Sequence, residues 1–315
     1  MKNTAYLRSS LSGLVAAGYI AAIAQAALST GLAYILFPEL GALAHDIFEH
    51  PAGRWASAPV LLVFTPLATA VPGVWIAQHM HYGVLSVSLG TAIGIGVVAA
   101  LRSPIAPAIS AGLLPVVFDI RSWWYPPSIW AGTATLALAA FAYRRWFRVH
   151  GGLPAPTAAD RISDIIERAP SGYGWVPFFF GFVVACALLA QVTGWRAILV
   201  PPLVVTGFEM FAHADICPWT ERPGLLLSIC ILTAACGLFF RLWLGTGPLA
   251  AIGIMIGSIA ILKTARLHVP PAIAIGLLAI LMHKPGYGYP VAVGVGGALL
   301  TVIFLIYRRH RLRAA

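Results

Sequence analysis

Charge is what this sequence has least of. Only 10% of its 315 residues are charged, against about 25% in ordinary soluble domains, too few to clothe a soluble globule of this size. Acid is scarcer than base: 10 Asp and Glu stand against 20 Lys and Arg, for a net charge of +10. Cysteine is nearly absent. Cys186, Cys217, Cys230 and Cys236 all lie in the second half, with no Cys-x-x-Cys and no matching His spacing, which points to buried free thiols rather than a disulfide or metal framework. His-Glu-x-x-His and Gly-x-Ser-x-Gly are missing as well. The Gly clusters Gly90, Gly94, Gly96 and Gly253, Gly257 follow no strand, so they read as close-packing helix faces and not as a nucleotide loop. These absences argue against a soluble enzyme, and no catalytic residue, resident metal or cofactor is expected.

Apolar residues are present in excess, at 60% of the chain with a mean hydropathy of +0.87. The reading is an all-α polytopic membrane protein with the lipid bilayer as its surroundings. Residues 11–27 continue directly into further apolar sequence without a convincing cleavage site, so the N-terminus reads as a first span and not as a signal peptide.

Sliding the chain by 164 residues aligns Pro38 with Pro202, Trp55 with Trp219, Gly73 with Gly237, Arg102 with Arg266 and Tyr143-Arg144-Arg145 with Tyr307-Arg308-Arg309. It also aligns Pro107-Ala108-Ile109-x-x-Gly112-Leu113-Leu114 with Pro271-Ala272-Ile273-x-x-Gly276-Leu277-Leu278. Apolar composition alone does not align Trp, Pro, Gly and Arg, so a tandem duplication is expected: a first membrane repeat at 1–150, a cytoplasmic linker at 151–173 and a second repeat at 174–315. Apolar segments at 11–28, 32–48, 59–78, 84–101, 104–118 and 127–143, and at 176–192, 197–212, 224–242, 247–262, 270–282 and 290–307, predict six helices per unit, the second and fifth short and Pro-broken. With the N-terminus inside, all basic residues except Arg121, Arg196, Arg241 and Lys284 fall on one side, as the positive-inside rule asks. This predicts parallel repeats related by an axis along the membrane normal. Both termini would be cytoplasmic, in the cell membrane. The +10 is therefore topological and implies no nucleic acid. Within the linker, Thr157 or Asp160 could cap a short helix lying along the inner interface.

Short Pro-interrupted spans at matching positions of two halves point to a transport site. One pair is Leu36-Phe37-Pro38-Glu39 against Val200-Pro201-Pro202-Leu203. The other is Arg102-Ser103-Pro104 against Arg266-Leu267-His268-Val269-Pro270-Pro271. An Arg before a Pro-started helix N-terminus suits an anion, so Arg102, Ser103, Arg266, His268, Pro270 and Pro271 are the expected substrate-binding residues. Glu39, His45 and Glu209 lie in span two of each unit and are the expected proton carriers, because intramembrane ionisable groups are costly. His45, Asp46 and Glu49 can equally be a helix end reaching water. His79 and His81, without a third ligand, make a poor metal site. Trp123, Trp124, Tyr125, Tyr287 and Tyr289 fit an interfacial aromatic belt.

Leu267-His268-Val269-Pro270-Pro271-Ala272 resembles the His-Pro-Pro-Ala signature of the HPP family of integral membrane proteins, and Trp124-Tyr125-Pro126-Pro127 resembles the aromatic-Pro-Pro start of that family's last span. The resemblance covers both units, as a two-copy version of a usually single-copy domain. It departs from the family in Val269, which separates His268 from the prolines, and in Pro104, which holds the His position of the first copy. The resemblance implies transport of a nitrite-like anion, for which plant and algal relatives have been linked. The expectation is a secondary transporter or channel for a small anion, with its site between the repeats and homo-oligomerisation open. The alternatives are an accessory membrane subunit or a membrane-embedded enzyme.

Overall fold

The computed structural model describes residues 2–150, 152–153, 162, 164–167, 170 and 172–314, with the backbone alone at 2–10 and 313–314. The expected linker caps Thr157 and Asp160 lie outside the described residues. Among the described residues thirteen α-helices can be bounded: α1 (Lys2–Thr30), α2 (Glu39–Glu49), α3 (Arg54–Ser57), α4 (Pro59–His79), α5 (Val84–Ala100), α6 (Ala108–Phe118), α7 (Tyr125–Val149), α8 (Val176–Thr193), α9 (Pro201–Ala212), α10 (Pro223–Leu244), α11 (Pro248–Ala265), α12 (Pro270–Leu281) and α13 (Gly288–Ala314). No strand occurs among the described residues.

Proline sets many of the boundaries. It stands in the first turn of α4, α7, α8, α9, α10, α11 and α12, where its missing N–H costs nothing and its fixed φ suits the helix. At Pro38 and Val200-Pro201 it divides what reads as one apolar span into a 3-10 turn, Ala33–Ile35 or Arg196–Leu199, and a separate short helix, α2 or α9. The helix that precedes each Arg-containing turn ends in the same way. Arg102 has φ 48° and Arg266 φ 51°, a left-handed conformation uncommon outside glycine. The Arg266 N–H returns to the Lys263 carbonyl and the Leu267 N–H to the Leu262 carbonyl, closing the end of α11.

Six helical stretches are long and apolar enough to cross a bilayer: Leu11–Thr30, Pro59–His79, Val176–Thr193, Pro223–Leu244, Pro248–Ala265 and Gly288–Leu312. The rest of the twelve expected segments are shorter or less apolar. Helix α5 has 17 residues, and α7 ends in an Arg-rich turn. Helices α2 and α6 have 11 residues each and α9 and α12 have 12. At 1.5 Å per residue these four reach only about 17 Å, little more than half of a hydrocarbon core.

Those four short helices form the centre of the molecule. All of α2 but its last residue is buried, as are nearly all residues of α6, α9 and α12. The long helices form the wall and point large apolar side chains outward, such as Leu138 (68% exposed) and Trp243 (76%). That surface suits lipid tails and not water. The packing crosses between the halves: α2 lies on α12, α9 on α6, α1 on α11 and α8 on α5. Within each half, backbone meets backbone. A Cβ at Gly73 would strike the Gly112 carbonyl, and one at Gly237 the Gly276 carbonyl, so α4 and α6, and α10 and α12, touch without side chains between them. The Tyr125 hydroxyl donates to the Ala111 carbonyl and the Tyr289 hydroxyl to the Ile275 carbonyl, fixing the starts of α7 and α13 on α6 and α12.

Candidate functional site

The C-terminal end of α2 meets the N-terminal end of α12 at a cavity of about 380 Å³, lined by Asp46, Glu49, His50, Trp55, Ile162, Ile166, Glu167, Glu209, Pro218, Trp219, Arg266, Leu267, His268 and Pro270. The last turn of α2 carries His45-Asp46-x-x-Glu49-His50, two interleaved pairs four residues apart, which is the spacing that stacks side chains on one helix face. His45 Nε2 lies 3.1 Å from Glu49 Oε2, and His50 Nδ1 lies 3.1 Å from Asp46 Oδ1. The left-handed turn at Arg266 then delivers His268 from the other half, and its Nε2 also lies 3.1 Å from Asp46 Oδ1. The His268 ring centroid is 5.9 Å from that of His45 and 5.4 Å from that of His50. Three imidazoles and two carboxylates thus gather at the junction of two short helices.

Further carboxylates face the same space. Glu209 on α9 is 4% exposed, and its Oε2 has no hydrogen-bond partner. Glu167 reaches in from the connector, where Ile162 and Ile166 cover the cavity's apolar side. Connector and membrane body are tied at Asp164: its Oδ1 accepts from the Arg54 N–H at 3.2 Å and its carbonyl from Arg54 Nη1 at 3.3 Å. Burial holds the Glu167 carboxyl well above the usual carboxylate range, and the neighbouring charges of Asp46, Asp164 and Glu209 push it further, opposed only by Arg54. Among the described lining residues, the carboxyl groups of Asp46, Glu49, Glu167 and Glu209 outnumber the one guanidinium, that of Arg266, and those of them that are ionised favour a cation.

The expected binding residues separate in space. Arg266, His268 and Pro270 line the cavity; Arg102, Ser103 and Pro271 do not. Arg102 is exposed at the end of α5. The Ser103 hydroxyl oxygen accepts from the Thr65 hydroxyl at 2.8 Å and from the Ile105 N–H at 3.2 Å, so it holds its own turn together. Pro271 is buried inside the first turn of α12. Among the expected proton carriers, Glu209 lines the cavity. His45 adjoins it through Glu49 and His268, with its Nδ1 buried and unpartnered. Glu39 lies about 10 Å away at the start of α2, its carboxylate buried with no hydrogen-bond partner. On the opposite face, His79 stacks on Trp75 and Asp119 pairs with Arg121 at 2.9 Å, which leaves no cluster there among the described residues. The four cysteines are free, and Cys236 alone of them is not fully buried.

Asp46, His50, Glu49 and Glu167 carry more of this site than their local sequence suggests. For the residues of α2 a signal was present in the double four-residue spacing of acid and His. For Glu167 none was, because only the folding back of the connector brings it in.

The two aligned tryptophans behave differently. Trp55 Nε1–H donates to the Pro104 carbonyl at 2.8 Å, whereas the buried Trp219 Nε1–H at the cavity wall has no hydrogen-bond partner. Trp55→Phe is expected to cost about 1–2 kcal/mol, the value of a buried hydrogen bond whose acceptor is left unmatched. Trp219→Phe loses the same ring volume but sheds an unmatched donor, so its thermal midpoint in detergent should fall by less than that of Trp55→Phe. Equal losses in both variants would contradict this assignment.

Comparison of the chain with family models, with curated proteins and with solved structures returns no match.

Proposed function

We propose that this chain is a membrane transport protein for a small cation, with its site in the cavity between α2 and α12. The observation that carries the reading is the cavity's chemistry: four carboxylates and two imidazoles line a space between short helices buried inside an apolar bundle. Intramembrane ionisable groups of this kind mark ion pathways, and discontinuous helices that meet inside a bundle are how many carriers build their sites. Glu39, buried without a hydrogen-bond partner, and Glu209, buried with one carboxylate oxygen unpartnered, are the groups we assign to coupling, by taking up and releasing protons as cargo passes.

Two same-direction units of six membrane segments are part of the same proposal. The repeated left-handed turns at Arg102 and Arg266, the matched tyrosine bonds and the reciprocal crossing of α2 on α12 and α9 on α6 support it. With both Arg-Arg clusters cytoplasmic, the cavity and its connector face the cytoplasm. Membership of the HPP family rests on the 267–272 motif, whose His268 falls in the cavity.

The anion reading draws on Arg266, which is exposed at the cavity edge, and on the N-terminus of α12. It competes with four carboxylates and lacks Arg102, so the cation is the better-supported cargo. Uptake into proteoliposomes separates the two. A saturable cation flux should fall at least tenfold in Glu209→Gln and Asp46→Asn proteins and persist in Arg102→Ala. Saturable nitrite uptake that is indifferent to Glu209→Gln but lost in Arg102→Ala and Arg266→Ala proteins would overturn the proposal in favour of the anion.

A further inference from the structure

We propose that Asp46, His50 and His268 form a binding site for one divalent transition-metal ion, which names the cargo class of the cavity and rests on the cation reading above. The three residues come from two helix ends in different halves of the chain, yet their polar atoms converge. Both His50 Nδ1 and His268 Nε2 lie 3.1 Å from the same carboxylate oxygen, Asp46 Oδ1, and one ligand atom from each residue falls within a 4.8 Å group. Metal–nitrogen and metal–oxygen bonds of about 2.1 Å place neighbouring ligand atoms roughly 3.4 Å apart in tetrahedral geometry. Small outward shifts therefore suffice to seat an ion between these three atoms, with each ring keeping its N–H on the other nitrogen.

The surroundings are built for an ion. The Asp46 side chain is 5% exposed, while those of His50 and His268 are 18% and 31% exposed, so the carboxylate is held inside and the imidazoles face the space. Glu209 adds a buried, unpartnered carboxylate oxygen to the same wall. Glu49, paired with His45 at 3.1 Å, stands beside the cluster as a further carboxylate. Three protein ligands leave a fourth position toward the cavity, an open and exchangeable site in contrast to a closed structural one. Two imidazoles and one carboxylate, with no thiolate, select Zn²⁺, Mn²⁺, Fe²⁺, Co²⁺ or Ni²⁺ over Cu⁺. The hard ions Ca²⁺ and Mg²⁺ prefer all-oxygen sites. Among the described residues one other trio, His45, Glu49 and His268, meets the same distances, and it shares His268 with this set. In the 164-residue register Met210, Ala214 and Pro104 stand where Asp46, His50 and His268 are, and none of them can replace a ligand of this set. One ion per chain follows.

The test is Co²⁺ absorption and Zn²⁺ calorimetry on the full-length protein in detergent, purified without a polyhistidine tag. We expect one equivalent of Co²⁺ to bind with visible d–d bands of four- or five-coordinate cobalt, displaced by Zn²⁺ and untouched by a hundredfold excess of Mg²⁺ or Ca²⁺. Asp46→Asn and His268→Gln proteins should lose at least a hundredfold in Zn²⁺ affinity, and a His79→Asn/His81→Asn protein should lose none. Absence of stoichiometric Co²⁺ bands from the wild-type protein overturns the site whatever the variants do. Unchanged affinity in folded, monodisperse Asp46→Asn and His268→Gln proteins overturns it as well. The readout needs no flux. Binding without uptake leaves the metal site standing and removes the transport reading, while Na⁺ or proton flux without Co²⁺ binding does the reverse.

Discussion

Replacing Glu209 by Leu is expected to make the protein more heat-stable while abolishing its cation uptake. Glu209 is 4% exposed, and one of its carboxylate oxygens has no hydrogen-bond partner. A buried polar group without a partner costs about 1–3 kcal/mol, and exchanging buried ionisable groups for apolar ones of similar volume is often stabilising. The neighbourhood can take the change, since α9 is buried along its length among apolar residues. The thermal midpoint in detergent should rise by a few degrees. Glu39→Leu should behave alike, because both of its carboxylate oxygens are buried and unpartnered in a helix end with no exposed face. A stability cost retained at these positions marks them as kept for function. A lower midpoint in both Leu variants would mean that the carboxylates hold the fold together, and coupling would then have to be sought elsewhere.

The largest destabilisation is expected from Gly237→Val and Gly73→Val. In each, the new Cβ would fall on a backbone carbonyl of the facing short helix, at Gly276 or Gly112. A backbone carbonyl inside a helix cannot swing aside as a flexible side chain can. Helix α10 must then separate from α12, or α4 from α6, and the loss spreads along the whole contact. Overpacking in a core costs about 1–3 kcal/mol even where side chains can yield, so here at least about 3 kcal/mol is expected, seen as loss of the monodisperse species or a fall of the midpoint by 10 °C or more. Gly18→Ala and Gly181→Ala provide the contrast. Nothing lies within 4 Å of a Cβ at either position, and a helical Gly→Ala change is worth up to about 1 kcal/mol in favour. Val at position 73 or 237 that behaves like Ala at 18 would show that the helices do not approach as closely as described.

The legible and illegible parts of the site differ in kind. The breaks at Pro38 and Pro201 were readable because proline acts on its own backbone, removing a donor and fixing φ wherever it stands. The turn at Arg266 was readable as a position, through its alignment with Arg102, but its left-handed conformation was not. Ser103 shows the reverse. Its place beside Arg102 suggested a ligand, and what only the structure adds is that its oxygen accepts from Thr65 on α4 and from the Ile105 N–H. Arg102 and Arg266 looked equivalent in sequence, yet only Arg266 borders the cavity.

By itself the sequence determined the membrane class, the order of helices, their Pro-set boundaries and the small stock of ionisable residues from which any site must be made. Each of these depends on interactions within one turn or one span: apolar surface against lipid, and proline against its own backbone. Tertiary structure alone decided which of those residues meet. His268 finds Asp46 across 222 positions because α2 packs on α12, and Glu167 joins them because the connector is anchored at Arg54. Helices that are apolar all round carry no face that names their neighbour, so the pairing of short helices across the halves depends on shape and on backbone contact at Gly73 and Gly237. That pairing gives a net-basic chain a cavity lined by four acidic side chains.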